Sequence, residues 1–167
     1  FVKPNKSGSS FGISKVSDKA LLNEKIDYAF REGDEVLVES FLEGKEVSVG
    51  VINIDGERTI LPITEIRSNN EFFDFNAKYN GESDEITPGE LSTNEVTDIH
   101  KMINTIYDNI NLSGITRSEI ILVDGIPHII ETNTIPGFTK QSIVPQQIKA
   151  AGFSIKEIIE NQIKSLL

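Results

Sequence analysis

The segment Ile129-Ile130-Glu131-Thr132-Asn133 opens as a strand and closes on a carboxylate and a carboxamide two residues apart. It then runs at once into Pro136-Gly137, which breaks regular structure, with Ser142 and Pro145 beyond. A strand that only has to bury itself has no use for that ending. Upstream, in residues 117–124 (RSEIILVD), Arg117 and Glu119 are also two apart, so alternation puts them on one face of their strand. Asp124-Gly125 joins the two runs as a hairpin. Two carboxylates and an amide on neighbouring strands suit Mg²⁺, a hard cation that takes oxygen ligands and keeps waters and phosphates. An arginine beside them can neutralise charge on a transferring phosphoryl group. The plainer alternative is a cross-strand ion pair of Arg117 with Glu131. The residues by themselves leave both readings open.

Three other stretches carry weaker signals. In VKPNKSGSSFG, a strand ends at Lys3 and a Gly/Ser loop follows; backbone N–H groups, serine hydroxyls and an ammonium can wrap phosphate oxygens. The loop does not match GxxxxGK[ST], and taken alone it reads more readily as a solvated loop. In EVLVESFLEGKE, Glu39, Phe41 and Leu42 end a strand and Glu46 starts the next. An adenine can lie along such a strand end and a carboxylate can accept from ribose hydroxyls, but an exposed acidic hairpin has the same sequence. In FFDFNAKYN, Lys78-Tyr79 can supply a lid with a phosphate-binding cation and a phenol, while Phe72, Phe73 and Phe75 anchor a surface loop. His100 and His128 have no evident partner and read as solvent-facing.

The elements that must position these groups follow from periodicity. Residues 1–3 read as a strand end already under way, which suggests a fragment of a longer protein. Residues 17–31 read as a helix with Ser17 as N-cap and Leu21, Leu22, Ile26 and Phe30 at helical spacing, stopped by Gly33. Strands are expected over 35–39, 46–54 and 58–68, the last two joined by Asp55-Gly56. Residues 69–91 show no regular periodicity, and a loop that long is expected to be functional and mobile without ligand. Residues 92–111 read as a helix with a Ser92/Glu95 capping box and a buried stripe of Val96, Ile99, Ile103, Ile106 and Ile110. The 117–124/127–133 hairpin follows, then a helix over 142–151 ending at Gly152, and a last helix over 154–166 carrying Ile155, Ile158, Ile159 and Ile163. Antiparallel hairpins mixed with helices make the class α+β rather than a doubly wound parallel sheet.

Bulk properties narrow the partners. At 167 residues the chain is long enough to bury a real core. The formal net charge of −10 argues against a nucleic-acid partner, whose phosphates need clustered Lys and Arg. It leaves room for a small phosphate ligand. The sequence has no cysteine, which excludes disulfides and thiolate metal sites, and its two histidines disfavour a zinc site. No apolar run approaches a membrane span and no signal peptide is visible, so the default setting is cytoplasmic.

Taken in order, VKPNKSGSSFGISKV, VLVESFLEGKEVSV, LPITEI, FFDFNAKY, TPGEL, RSEIILVDG and ETNTIPGFTKQSIVPQQIKAAG resemble the D-alanine–D-alanine ligase family of the ATP-grasp fold. The matching stretches run from Val2 to about Gly152 and are specific jointly, not singly. The resemblance implies an antiparallel sheet with flanking helices. It makes residues 1–43 the rear part of the small ATP-grasp subdomain and 44–167 the C-terminal catalytic domain. It implies that Lys3 binds the ATP phosphates, and that Ser9 and Ser10 cover them. It gives the adenine to Glu39, Ser40, Phe41 and Leu42 and the ribose to Glu46. Lys78 would approach the γ-phosphate, and Tyr79 would close the lid onto Ser9. Arg117 and the Gly137 N–H would form an oxyanion hole. Glu119, Glu131 and Asn133 would bind two Mg²⁺ ions, with Mn²⁺ as a substitute. Ser142, with Ile143, would receive the carboxylate of the second D-alanine.

The implied reaction joins two D-alanines through an acyl phosphate for peptidoglycan precursor synthesis. Two features depart from the family. Position 119 is Glu where the family usually has Asp, and the N-terminal domain and the first part of the small subdomain are absent. The fragment is therefore expected to fold in part and not to catalyse. The full-length enzyme is expected to be a homodimer and the fragment a monomer. Tyr79 favours D-alanine over D-lactate as acceptor, because relatives that make the depsipeptide generally depart from Tyr there. Two alternatives remain: an ATP-grasp ligase for another carboxylate or amine, and a non-catalytic nucleotide-binding domain. The latter is disfavoured by the intact ligand set.

Overall fold

The computed structural model describes residues 1–8, 10–68 and 83–165. They fall into two compact units, one formed by Phe1–Leu42 and the other by Glu43–Arg67 and Asp84–Leu167.

In the first unit, β1 (Val2–Pro4) pairs antiparallel with β2 (Val36–Val38), with Val2 opposite Val38 and Pro4 opposite Val36. A short bridge between Val2 and Ser14 closes the Gly/Ser loop on itself. Its two backbone hydrogen bonds measure 2.9 and 2.8 Å. The helix is shorter than its sequence pattern: a 3₁₀ turn (Lys19–Leu21) leads into α1 (Leu22–Ala29). Asp18, not Ser17, is the cap, its Oδ1 accepting the Ala20 N–H at 2.9 Å. Leu21 and Phe30 are exposed, and Ala29 is the residue of α1 that is buried. The expected apolar stripe is thus rotated toward the small side chain.

In the second unit, six strands among the described residues form one sheet in the order β6-β5-β3-β7-β8, with β4 also on β3. They are β3 (Lys45–Ile54), β4 (Glu57–Ile60), β5 (Thr64–Ser68), β6 (Ser83–Ile86), β7 (Thr116–Val123) and β8 (Ile126–Asn133). Strand β3 is central and divides its side chains by alternation. Val47, Val49 and Val51 join Ile120, Leu122 and the buried face of α2 (Thr93–Ile110). Ile52 joins Leu61 and the buried faces of α3 (Ile143–Ala150) and α4 (Ile155–Lys164). The Asp55-Gly56 and Asp124-Gly125 turns both have positive φ at each residue (50° and 84°; 50° and 80°), the conformation that favours this dipeptide in two-residue hairpins. Among the described residues no helix is long and apolar enough to cross a membrane.

Several expectations change in detail. The strand expected over 58–68 is two strands, because Pro62 offers no N–H to the ladder. Residues 61–63 face only 49–50, so the register slips between Val51↔Ile60 and Ser48↔Thr64. Part of the expected irregular stretch is regular: β6 lies within it, while residues 69–82 are outside the described residues. On α2 the Ser92/Glu95 capping box forms as expected, but the buried stripe is Ile99, Ile103 and Tyr107, and Ile110 is exposed. Tyr107 bonds Thr116 through its hydroxyl. On α4 only Ile158 of the four isoleucines is buried, and a Ser154/Glu157 capping box starts the helix.

Gly44 marks where β7 crosses close to the start of β3. A Cβ there would lie 2.1 Å from the Leu122 carbonyl oxygen and 2.7 Å from its carbon, both backbone atoms. Gly44→Ala is therefore expected to lower stability by about 2–3 kcal/mol. The check is a lower denaturant midpoint at unchanged slope.

Glu65 on β5 is the other structural hinge-point of this unit. Its buried carboxylate accepts from Arg67 Nε at 2.7 Å and from the Glu90 N–H at 3.0 Å. The Arg67 hydrogen bond holds the carboxyl below its ordinary pKa; burial opposes this and the Glu90 N–H adds to it. Since the folded pKa is the lower one, the ionised carboxylate stabilises the fold above the unfolded value of about 4.3. That contribution is lost as pH falls through the folded pKa. Glu65→Gln is expected to lower the melting temperature at pH 7, with the gap to wild type closing as pH falls through the lowered folded pKa.

Candidate functional site

The β7–β8 hairpin places Arg117 opposite Asn133 and Glu119 opposite Glu131 in its register. Residues directly opposite share a face, so all four side chains stand on one side of the sheet. Ser118 and Thr132 lie on the other side, their hydroxyls 2.9 Å apart. The arrangement depends on a β-bulge. Between Glu119 and Ile120 the register shifts, so that Ile120 faces Ile129 and Ile130 is the extra residue. The bulge re-aims Glu131 and Asn133 relative to the strand that precedes them. Nothing in the sequence announced it, because the two residues concerned are both isoleucine.

The ion pair on this face is not the cross-strand alternative. Arg117 Nε bonds Glu119 Oε1 at 2.5 Å, along its own strand, and both side chains are largely buried (17 % and 8 % exposed). Glu131 is exposed, and its Oε1 accepts from Asn133 Nδ2 at 3.2 Å. The donor set is two carboxylates and one carboxamide on two successive rungs of the same face, with no nitrogen or sulfur ligand. It fits a hard divalent cation such as Mg²⁺ or Mn²⁺. Asn133 would present its amide oxygen after a flip of the side chain, an assignment set by the surrounding hydrogen bonds.

Beyond β8 the chain runs through 134–142 to α3. Ser142 occupies the N-cap position, with Ile143 buried behind it, but its side chain makes no cap hydrogen bond. Instead its Oγ accepts the Thr139 N–H at 3.1 Å and lies 3.0 Å from Thr139 Oγ1. A Cβ on residue 137 would come within 3.1 Å of the same Oγ, so glycine keeps Gly137 and the Ser142 hydroxyl side by side. The structure therefore brings together two predicted groups, Gly137 and Ser142, and adds Thr139, which sequence reading missed. The available signal was a Thr three residues before a Ser, a spacing that favours side chain-to-backbone turns. Glu46 is half-buried on β3, opposite Ile121.

In the first unit, Lys3 Nζ and Glu39 Oε2 are 2.7 Å apart, which brings the expected phosphate and adenine residues into contact. Phe41 is exposed, with its ring centroid 6.0 Å from that of Phe1 and Lys15 Nζ 4.6 Å above it. Ser10 adopts φ 61°, and Ser40 and Leu42 lie on the segment after β2. Ser9, Lys78 and Tyr79 lie outside the described residues. His128 has a partner after all: its Nδ1 is 2.9 Å from the Ile126 carbonyl oxygen. His100 is partly buried, which lowers its pKa.

Comparison with known proteins bears on the family and the fold. The sequence model of the D-ala D-ala ligase C-terminus family matches residues 1–164. A D-alanine–D-alanine ligase of Flavobacterium johnsoniae is 51% identical over 164 residues, covering 98% of this chain and 51% of the relative. One from Parabacteroides distasonis is 45% identical over 170 residues, covering 99% and 52%. Among solved structures, the VanG D-Ala:D-Ser ligase from Enterococcus faecalis superposes with a TM-score of 0.86 at 35% identity, covering 98% of this chain and 48% of that one. The Bacillus anthracis D-alanine–D-alanine ligase complexed with ATP gives 0.79 at 30% identity, covering 98% and 52%. The chain spans about half the length of the relatives it matches. The α+β arrangement of antiparallel sheet and flanking helices is the ATP-grasp fold of these structures, as the sequence led us to expect. By sequence and by fold, the chain belongs to the D-alanine–D-alanine ligase C-terminus family.

Proposed function

We propose that the chain is the catalytic C-terminal part of an ATP-dependent ligase that joins two D-alanines for peptidoglycan precursor synthesis. The observation that carries the reading is the pair of cross-strand rungs, Arg117/Asn133 and Glu119/Glu131, at one end of the β7–β8 hairpin. Mg²⁺ held by Glu119, Glu131 and Asn133 would screen the phosphate charge of ATP. Arg117 stabilises charge on the transferring phosphoryl oxygens. The carboxylate of the first D-alanine attacks the γ-phosphate to give an acyl phosphate. Arg117 and the Gly137 N–H then hold the carbonyl oxygen while the amine of the second D-alanine attacks and phosphate leaves. Ser142, with Ile143, holds the carboxylate of that second D-alanine.

In the first unit, Lys3 serves the ATP phosphates and is pre-positioned by Glu39; Ser9 and Ser10 cover the phosphates. Glu39, Ser40, Phe41 and Leu42 serve the adenine. In the second unit Glu46 serves the ribose. Lys78 approaches the γ-phosphate and Tyr79 closes the lid. We assign residues 1–43 to the rear of the small ATP-grasp subdomain and 44–167 to the C-terminal catalytic domain. The full-length enzyme is a cytoplasmic homodimer acting on small molecules.

One observation favours a second reading, with D-serine as the acceptor: the D-Ala:D-Ser ligase superposes as well as any relative described above. The test is ATP turnover by the full-length protein with D-alanine alone, then with D-serine or D-lactate as the second substrate. The proposal expects one ADP per D-alanyl-D-alanine formed and slower mixed products. Faster D-alanyl-D-serine formation would move the assignment to the second reading, and ADP release independent of D-alanine would overturn both.

A further inference from the structure

We infer that Thr139 is a positioning residue that aims the single proton of the Ser142 hydroxyl at the carboxylate of the acceptor amino acid. The inference rests on the reading of Ser142 given above. A serine at the N-cap ordinarily accepts from a backbone N–H in the first helical turn, an interaction whose loss costs about 1 kcal/mol. Ser142 has the extended backbone of an N-cap (φ −71°, ψ 149°) but does not use its side chain this way. The hydroxyl is committed instead to the preceding loop, where Thr139 meets it twice: the N–H donates to Oγ at 3.1 Å, and Oγ1 lies at 3.0 Å. The loop is closed in the other direction by the Ser142 N–H, which donates to the Thr139 carbonyl at 3.0 Å.

A serine hydroxyl has one proton and two acceptor positions. The Thr139 N–H occupies one acceptor position. If the Thr139 hydroxyl donates to the other, Ser142 has accepted twice and its proton must point away from the loop. If Ser142 donates to Thr139 instead, its proton is spent locally. A carboxylate is acceptor-only, so its arrival selects the first sense. Accepting two hydrogen bonds also polarises the O–H that then donates to an anion. Gly137 allows this geometry, since a side chain there would press on the same oxygen at 3.1 Å. Thr139 is exposed, so changing its hydroxyl costs the fold little.

The experiment uses the full-length enzyme with Thr139→Val, Thr139→Ser and Ser142→Ala, and resolves D-alanine saturation into its two phases. Thr139→Val is expected to raise KM for the second D-alanine about 5–10-fold, the worth of one hydrogen bond between neutral groups. KM for ATP and for the first D-alanine, and the melting temperature, should stay near wild type. Thr139→Ser should restore the acceptor KM, and adding Thr139→Val to Ser142→Ala should change nothing further. If Ser142→Ala raises the acceptor KM and Thr139→Val does not, or if Thr139→Val affects all substrates alike, the positioning role is overturned and the reading of Ser142 stands. If Ser142→Ala leaves the acceptor KM unchanged, both are overturned.

Discussion

In the full-length protein, on the proposed function, Arg117→Met is expected to lower kcat for D-alanine-dependent ADP release about 10²–10³-fold, the usual effect of removing one preorganised donor from developing negative charge. KM for ATP should change little, because the proposed contact strengthens only as charge builds on the transferring oxygens. The side chain is well placed for this. Its Nε is fixed by Glu119 at 2.5 Å within a mostly buried pair, so the guanidinium plane is held before substrate arrives. The Nη groups are the donors assigned to the phosphoryl and acyl oxygens. Arg117→Lys should recover little, since one ammonium cannot both hold Glu119 and present a fork to substrate. The lysine variant also keeps a positive charge beside Glu119. It therefore separates lost chemistry from the fold penalty of leaving that carboxylate uncompensated. Equal kcat for wild type and Arg117→Lys would count against the assigned role.

The second large effect is expected at Glu131. This side chain is exposed at the end of β8, and its observed contact is with Asn133 on the same strand. Glu131→Gln should leave the melting temperature nearly unchanged, as exposed substitutions away from special contacts do. Catalysis should nevertheless fall by about 10²-fold or more at fixed low millimolar Mg²⁺. The substitution removes one of two formal negative charges from the donor set while keeping its size and one acceptor oxygen. Part of the loss should return at high Mg²⁺, because a weakened site can still be filled by mass action.

The main elements were legible because their signals are local. Two Asp-Gly turns between alternating runs marked both hairpins, and Ser92 with Glu95 marked the start of α2. The shared face of Arg117 with Glu119, and of Glu131 with Asn133, followed from a period of two. What escaped has a physical reason in each case. The Ile129-Ile130 pair carries no parity information, so the bulge that sets the β8 register was invisible. Strand β6 reads Ser-Asp-Glu-Ile, too polar to signal a strand. Tyr107 enters the buried stripe one turn after Ile103, while Ile110, on the same face, is the last residue of α2 and is exposed there. The partner of Arg117 stayed open because register alone cannot say whether an arginine bonds across the ladder or along its strand. Thr139 was passed over because its contact is between side chains three residues apart in irregular backbone.

The central claim is that the β7–β8 hairpin carries a divalent-cation-dependent ligase site. Its most direct test is the Mg²⁺ dependence of D-alanine-dependent ADP release, measured side by side on full-length wild type and Glu131→Gln. The account predicts activation by Mg²⁺ in both, with half-saturation moved at least about 10-fold higher in the variant. Superimposable Mg²⁺ curves for the two proteins would contradict it.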